Sequence, residues 1–118
     1  MPFIFLKTNR EVKKEQKEKI KSFVGQAIEA IPGKSEDNLL IGFEQLSMYL
    51  KGQEQPVALV EVQIFGSENH LGFQRVAAHL TEIVANTLSI PTSNIYIVFQ
   101  DLQTLGVDKF LIDLKGKA

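Results

Sequence analysis

Residues 38–46, NLLIGFEQL, and residues 94–102, NIYIVFQDL, decide how this chain folds. Laid one over the other they share the leading asparagine and set Ile41 on Ile97, Phe43 on Phe99 and Leu46 on Leu102, at a constant offset of 94 − 38 = 56. The same offset sets Pro2 on Ala58, Ile4 on Val60 and Ile28 on Val84, so strand falls on strand and helix on helix. That pattern predicts a single domain over residues 1–118 with an internal repeat, about 2–50 and 57–110.

Working outward, Pro2 to Lys7 is apolar with no polar alternation, as expected of a strand covered on both faces. Thr8 and Glu11 have the spacing of a capping box, and Ile20, Phe23, Val24, Ala27, Ile28 and Ile31 follow at helical intervals, which predicts a helix over about residues 10–30. Pro32 and Gly33 end it, and NLLIGFEQL resumes a strand. After the polar connection LKGQEQP (50–56), VALVEVQIF (57–65) reads as a third strand. A second helix is expected from about Asn69 to Leu88, with Phe73, Val76, Ala77, Leu80, Ile83 and Val84 on one face.

Two β-α-β units with right-handed crossovers give an α+β fold, a four-stranded mixed sheet with both helices on one face. The other face stays open. Strands apolar on both sides would then expose more apolar surface than a soluble monomer tolerates, so self-association is expected. SMYL (47–50) either pairs with a neighbouring chain's sheet edge or turns back as a hairpin within the chain.

Composition excludes several function classes. The 118 residues hold 13 Lys and Arg against 14 Asp and Glu, a net charge of −1, with no global field to draw the chain to nucleic acid or anionic lipid. The basic run REVKKEQKEKIK (10–21) is interrupted by Glu11, Glu15 and Glu18 and reads as a solvated helix face. With no cysteine there are no disulfides, thiolate metal sites or thiol chemistry. PFIFL is too short for a membrane span or signal core, and the chain is expected to be cytoplasmic. His70 and His79 are nine residues apart, a spacing that does not join them at a metal, and neither SENH (67–70) nor TNRE (8–11) has the glycines of a phosphate cradle.

The opening MPFI, the Gly33-Lys34 pair, EQLSMYLKG (44–52), PVAL (56–59) and IPTSNIYIVFQDL (90–102) together make nearly the whole chain resemble the tautomerase superfamily, in its macrophage migration inhibitory factor and phenylpyruvate tautomerase branch. The resemblance implies a homotrimer with the sheets turned inward and active sites at the subunit boundaries. It also implies a cofactor-independent keto–enol tautomerase acting on α-keto acids such as phenylpyruvate. In that scheme methionine is trimmed and Pro2 is the general base; Lys34 binds the substrate carboxylate, the Phe65 amide donates to the substrate, and Tyr96 enters a neighbouring subunit's site. No metal or organic cofactor is required.

Elementary chemistry sets the conditions for that role. An α-amino group titrates near 7.7–8.0 and proline's secondary amine is more basic, so only burial, expected beside Phe3, Val98 and Phe65, and the like charge of Lys34 can make it a base near pH 7. Asn38 stands where the family has a pocket tyrosine and Val98 where it has an asparagine, which weakens the polar grip; near the C-terminus only Phe110 offers an aromatic ring. Valines in PVALV stand where the vertebrate cytokine has a Cys-x-x-Cys pair. Two other readings stay open: a hydratase or dehalogenase of the same superfamily, with Glu44, Asp101 and Arg75 as candidates for activating water, or a non-catalytic trimeric binding protein.

Overall fold

The computed structural model describes residues 1–67 and 69–114; Glu68, within SENH, and residues 115–118 lie outside them. Alternation along the first strand, β1 (Pro2–Thr8), divides it cleanly: Pro2, Ile4, Leu6 and Thr8 are buried, and Phe3, Phe5 and Lys7 face the other way. It pairs in parallel with β2 (Leu40–Gln45) and antiparallel with β3 (Ala58–Phe65), which pairs in parallel with β4 (Ile95–Leu102), for the order β2-β1-β3-β4. The crossover helices are α1 (Lys14–Ala27) and α2 (Phe73–Leu88). Ile20 and Val24 of α1 and Val76, Leu80, Ile83 and Val84 of α2 pack with Ile4, Leu6, Val60, Val62 and Ile64 into one core. This is the expected mixed sheet with both helices on one face. No helix among the described residues is long and apolar enough to cross a membrane.

Both helices start later than expected. Thr8 does not cap α1, because it closes the β1–β3 ladder opposite Ala58 and is fully buried; its hydroxyl donates to the Val57 carbonyl at 2.8 Å and accepts from the Arg10 amide at 3.1 Å. Asn9 holds the chain extended beyond it, donating to the Gln55 carbonyl at 2.8 Å and accepting from the Val57 amide at 3.1 Å. The helix begins only where the Lys13 amide finds the Gln16 side-chain oxygen, 2.8 Å away. At α2, the Asn69 side chain accepts from the Leu71 amide at 2.9 Å, making a turn where a helix was expected, and Gly72 at φ +87° delivers the chain to Phe73. Gly72 allows a close approach that no other residue does: a Cβ there would stand 2.2 Å from the Ala30 carbonyl oxygen.

Two hairpins complete the described residues. Leu50 and Gln53 exchange backbone hydrogen bonds of 2.8 and 3.1 Å around Lys51 and Gly52, both at positive φ, so SMYL leads into a turn within the chain. β5 (Thr104–Val107) and β6 (Phe110–Asp113) form a second hairpin, turning at Asp108 and Lys109 with φ 52° and 72°. Among the described residues it forms a sheet of its own, separate from the four-stranded one. Its register pairs Leu105 with Ile112 and Val107 with Phe110 on one apolar face.

The sheet face away from the helices is mixed. Phe3, Phe5, Leu59, Tyr96 and Val98 are interspersed with the Lys7–Glu61 ion pair at 3.1 Å and a Gln63–Gln100 hydrogen bond at 3.2 Å. β3 therefore alternates on this side.

Candidate active site

Register brings the chain terminus to Phe65. Pro2 stands opposite Ile64, so the next pair of the antiparallel ladder is Met1 and Phe65. The Phe65 amide donates to the Met1 carbonyl at 3.0 Å, and the Met1 amine donates to the Phe65 carbonyl at 3.2 Å. Lys34 arrives from the other side. The turn at Pro32 and Gly33, closed by a 3.1 Å bond from the Lys34 amide to the Ile31 carbonyl, sends the lysine side chain across to the same Phe65 carbonyl at 2.8 Å. Terminus, lysine and Phe65 thus form one hydrogen-bonded group, with Phe65 itself buried.

The electrostatics follow from that geometry. The Met1 amine titrates below the ordinary α-amino value, through burial first, then the positive charge of Lys34, then the hydrogen bond with Lys34. Of the three N–H groups of the Lys34 ammonium, the Phe65 carbonyl takes one. A cavity of about 450 Å³ lined by Pro32, Gly33, Gly66, Ser67 and Leu71 flanks this group.

The other expected residues lie elsewhere in the chain. Tyr96, 43% exposed, stands opposite Leu59, which stands opposite Lys7, at the far end of β1 from Pro2. Val98 pairs with Glu61 on the open face and is not beside Pro2 within this chain, because β4 runs past β3 in a register that sets Asp101 and not Val98 in the Pro2–Ile64 row. Asn38 is exposed at the end of the short 3-10 turn Glu36–Asn38, and Phe110 is exposed on the second hairpin. Glu44 stands opposite Lys7, and Arg75 lines a different cavity with Ala30 and Ala78.

One pair had no signature in the sequence. His70 Nε2 lies 2.9 Å from Asp101 Oδ2, and the His70 ring stacks on Phe73, which stacks on Phe99, with centroids 4.8 and 4.6 Å apart. The two residues are 31 apart in the chain; only the β3–β4 register could have brought them together on paper. His79 instead meets the Phe23 ring edge-on at 6.0 Å, on the helix seam.

No curated protein matches the chain in sequence. Among solved structures, MIF2 of Leishmania major superposes with a TM-score of 0.86 at 18% identity, covering 95% of this chain and 97% of that one. A fused 4-OT described as an asymmetric trimer gives 0.81 at 15% identity, with 96% of each chain covered. Pt0534, described as inactivated by 2-oxo-3-pentynoate, gives 0.79 at 18% identity, again with 96% of each covered. Those identities show the fold alone. The family model for macrophage migration inhibitory factor (MIF) matches residues 1–110, nearly all of the β-α-β-β-α-β chain described above. By fold and by sequence pattern together, this chain belongs to the macrophage migration inhibitory factor family.

Proposed function

We propose that the chain is a cofactor-independent tautomerase of 2-oxo acids, with the Pro2 nitrogen as general base once Met1 is removed. The support is the paired ladder end. With Met1 in place the Phe65 amide receives a carbonyl oxygen at 3.0 Å; without Met1 that N–H is left for a substrate oxygen, beside the newly freed Pro2 nitrogen and the Lys34 ammonium. Lys34 holds the substrate carboxylate. Pro2 takes a proton from C3, the C–H electrons become the C2–C3 double bond, and the carbonyl pair moves onto oxygen, where Lys34 and the Phe65 amide meet the developing charge. Return of the proton to oxygen completes the enol.

The test uses 2-oxo-3-pentynoate, which inactivates Pt0534. Addition of a neutral Pro2 nitrogen to C4 forms one N–C bond, moves the nitrogen proton to C3 and expels nothing. The chain is expected to gain the mass of one whole reagent molecule, located on the N-terminal peptide, with parallel loss of phenylpyruvate enol turnover. Labelling elsewhere, or inactivity of the unlabelled protein towards 2-oxo acid enols, removes the proposal and favours a binding protein.

The assembly belongs to the same proposal. Tyr96 cannot reach Pro2 of its own chain, whereas a homotrimer with the open sheet faces turned inward brings Tyr96 of one chain to the terminus of the next and covers Phe3, Phe5, Val98 and the apolar hairpin face. The fused 4-OT of the same fold is itself described as a trimer. Sedimentation equilibrium at micromolar concentration is expected to give three times the chain mass, and Val98→Asp to shift it towards one. A monomeric wild-type chain overturns the assembly.

A further inference from the structure

Gly66 follows Phe65 at φ +86°, and the point where its Cβ would stand is 3.3 Å from Lys34 Nζ. The ammonium therefore lies against the space that any side chain at position 66 would fill, while it donates to the Phe65 carbonyl at 2.8 Å. Gly33, in the turn that delivers Lys34 to the same site, gives the comparison. It too has a positive φ, +78°, but nothing stands within 4 Å of its missing Cβ, so the turn alone accounts for it. At Gly66 the turn does not account for the lysine pressed on it.

Taking Lys34 as the carboxylate binder proposed above, we infer that Gly66 is a positioning residue for the substrate: the side chain it lacks is the seat that keeps the Lys34 ammonium against the Phe65 carbonyl at the chain terminus. A side chain at 66 shifts the ammonium outward. Lysine is long and its end moves easily, so the fold tolerates the shift; the fixed distance between the charge, the Phe65 amide and the terminal nitrogen does not survive it. Two consequences follow together. The carboxylate loses a charge-assisted donor held in place, and the Pro2 nitrogen, free once Met1 is removed, loses part of the neighbouring positive charge of the kind that lowers the pKa of the Met1 amine.

The experiment compares Gly66→Ala, Gly66→Asn, Lys34→Ala and the Lys34→Ala/Gly66→Asn double variant in phenylpyruvate enol turnover, with nitrogen-15 titration of Pro2. KM is expected to rise about tenfold in Gly66→Asn and less in Gly66→Ala, with kcat changed much less, and the Pro2 inflection to move to higher pH. In the Lys34→Ala background, Gly66→Asn is expected to add nothing to KM. Backbone strain predicts the opposite order, because asparagine accepts a positive φ better than alanine does. A milder effect in asparagine than in alanine, or effects that add in the double variant, overturns the inference. If Gly66→Ala does not fold, Gly66→Asn carries the comparison with its double variant. An unchanged KM in Lys34→Ala itself refutes the carboxylate role, a different failure from that of Gly66.

Discussion

A chain that keeps Met1 is expected to turn over phenylpyruvate enol about 10² to 10⁴ times more slowly than the same chain beginning at Pro2, the span a positioned base contributes. With Met1 attached the Pro2 nitrogen is an amide with no basic lone pair, and the Met1 carbonyl occupies the Phe65 amide. Both can be prepared by expression with and without a methionine aminopeptidase inhibitor, and mass spectrometry reports the residue directly. Pro2→Ala is expected to lie between them, since it leaves a primary amine but loses the ring that fixes the nitrogen's orientation. The pH dependence has a definite sign. Burial and Lys34 lower the pKa of the Met1 amine; with Met1 removed the same surroundings are expected to act on the Pro2 nitrogen, whose neutral form is the base and whose neutral fraction grows with pH. The rate should climb with pH through an inflection below the ordinary α-amino range and level off above it. Lys34→Ala moves that inflection upward. Equal rates with and without Met1 refute the role of Pro2 outright.

The largest stability effect is expected at Gly72→Ala. Its Cβ would meet the Ala30 carbonyl oxygen at 2.2 Å and the carbonyl carbon at 2.7 Å, both backbone atoms, and its φ of +87° is costly for any residue with a side chain. Neither a rotamer change nor a small shift relieves this, because Ala30 ends the short 3-10 turn Ile28–Ala30 that links α1 to the Pro32–Gly33 turn, and Gly72 is the N-cap residue directly before α2. A loss of about 3 kcal/mol or more is expected, read as a lower urea midpoint. Gly33→Ala is the control: it has the positive φ without the collision, so its cost is limited to about 1 kcal/mol. Equal midpoints for the two variants would mean that the collision, and with it the close approach of Ala30, is not what position 72 requires.

The sheet, both helices and the order of elements were legible because they rest on local periodicity. PFIFL is an unbroken apolar run of strand length, and Ile20, Val24 and Ala27 recur at the helical interval, whatever the rest of the chain does. Helix starts were read early for the opposite reason. Thr8 and Glu11 have the spacing of a cap, but Thr8 is claimed by the β3 ladder and by the Val57 carbonyl, 49 residues away, and a buried ladder outweighs one capping bond. The β5–β6 hairpin went unread because Asp108 and Lys109 turn at positive φ without the glycine or asparagine that announces such turns.

At the candidate site the division is the same. Pro2, Lys34 and Phe65 could be singled out only through the family pattern, since each taken alone is an ordinary proline, loop lysine or strand residue. Where Val98 stands relative to Pro2 within the chain depends on strand register, which no run of residues specifies by itself. Hydrophobic spacing along the chain therefore settled which segments become strands and helices and which faces they bury, since each segment carries that information in its own side chains. The meeting of the terminal amine, the Lys34 ammonium and the Phe65 backbone, and the pairing of His70 with Asp101, were settled by tertiary packing alone: they join atoms 31 to 64 residues apart, and only the ladder between β1, β3 and β4 fixes which of them come within hydrogen-bonding reach.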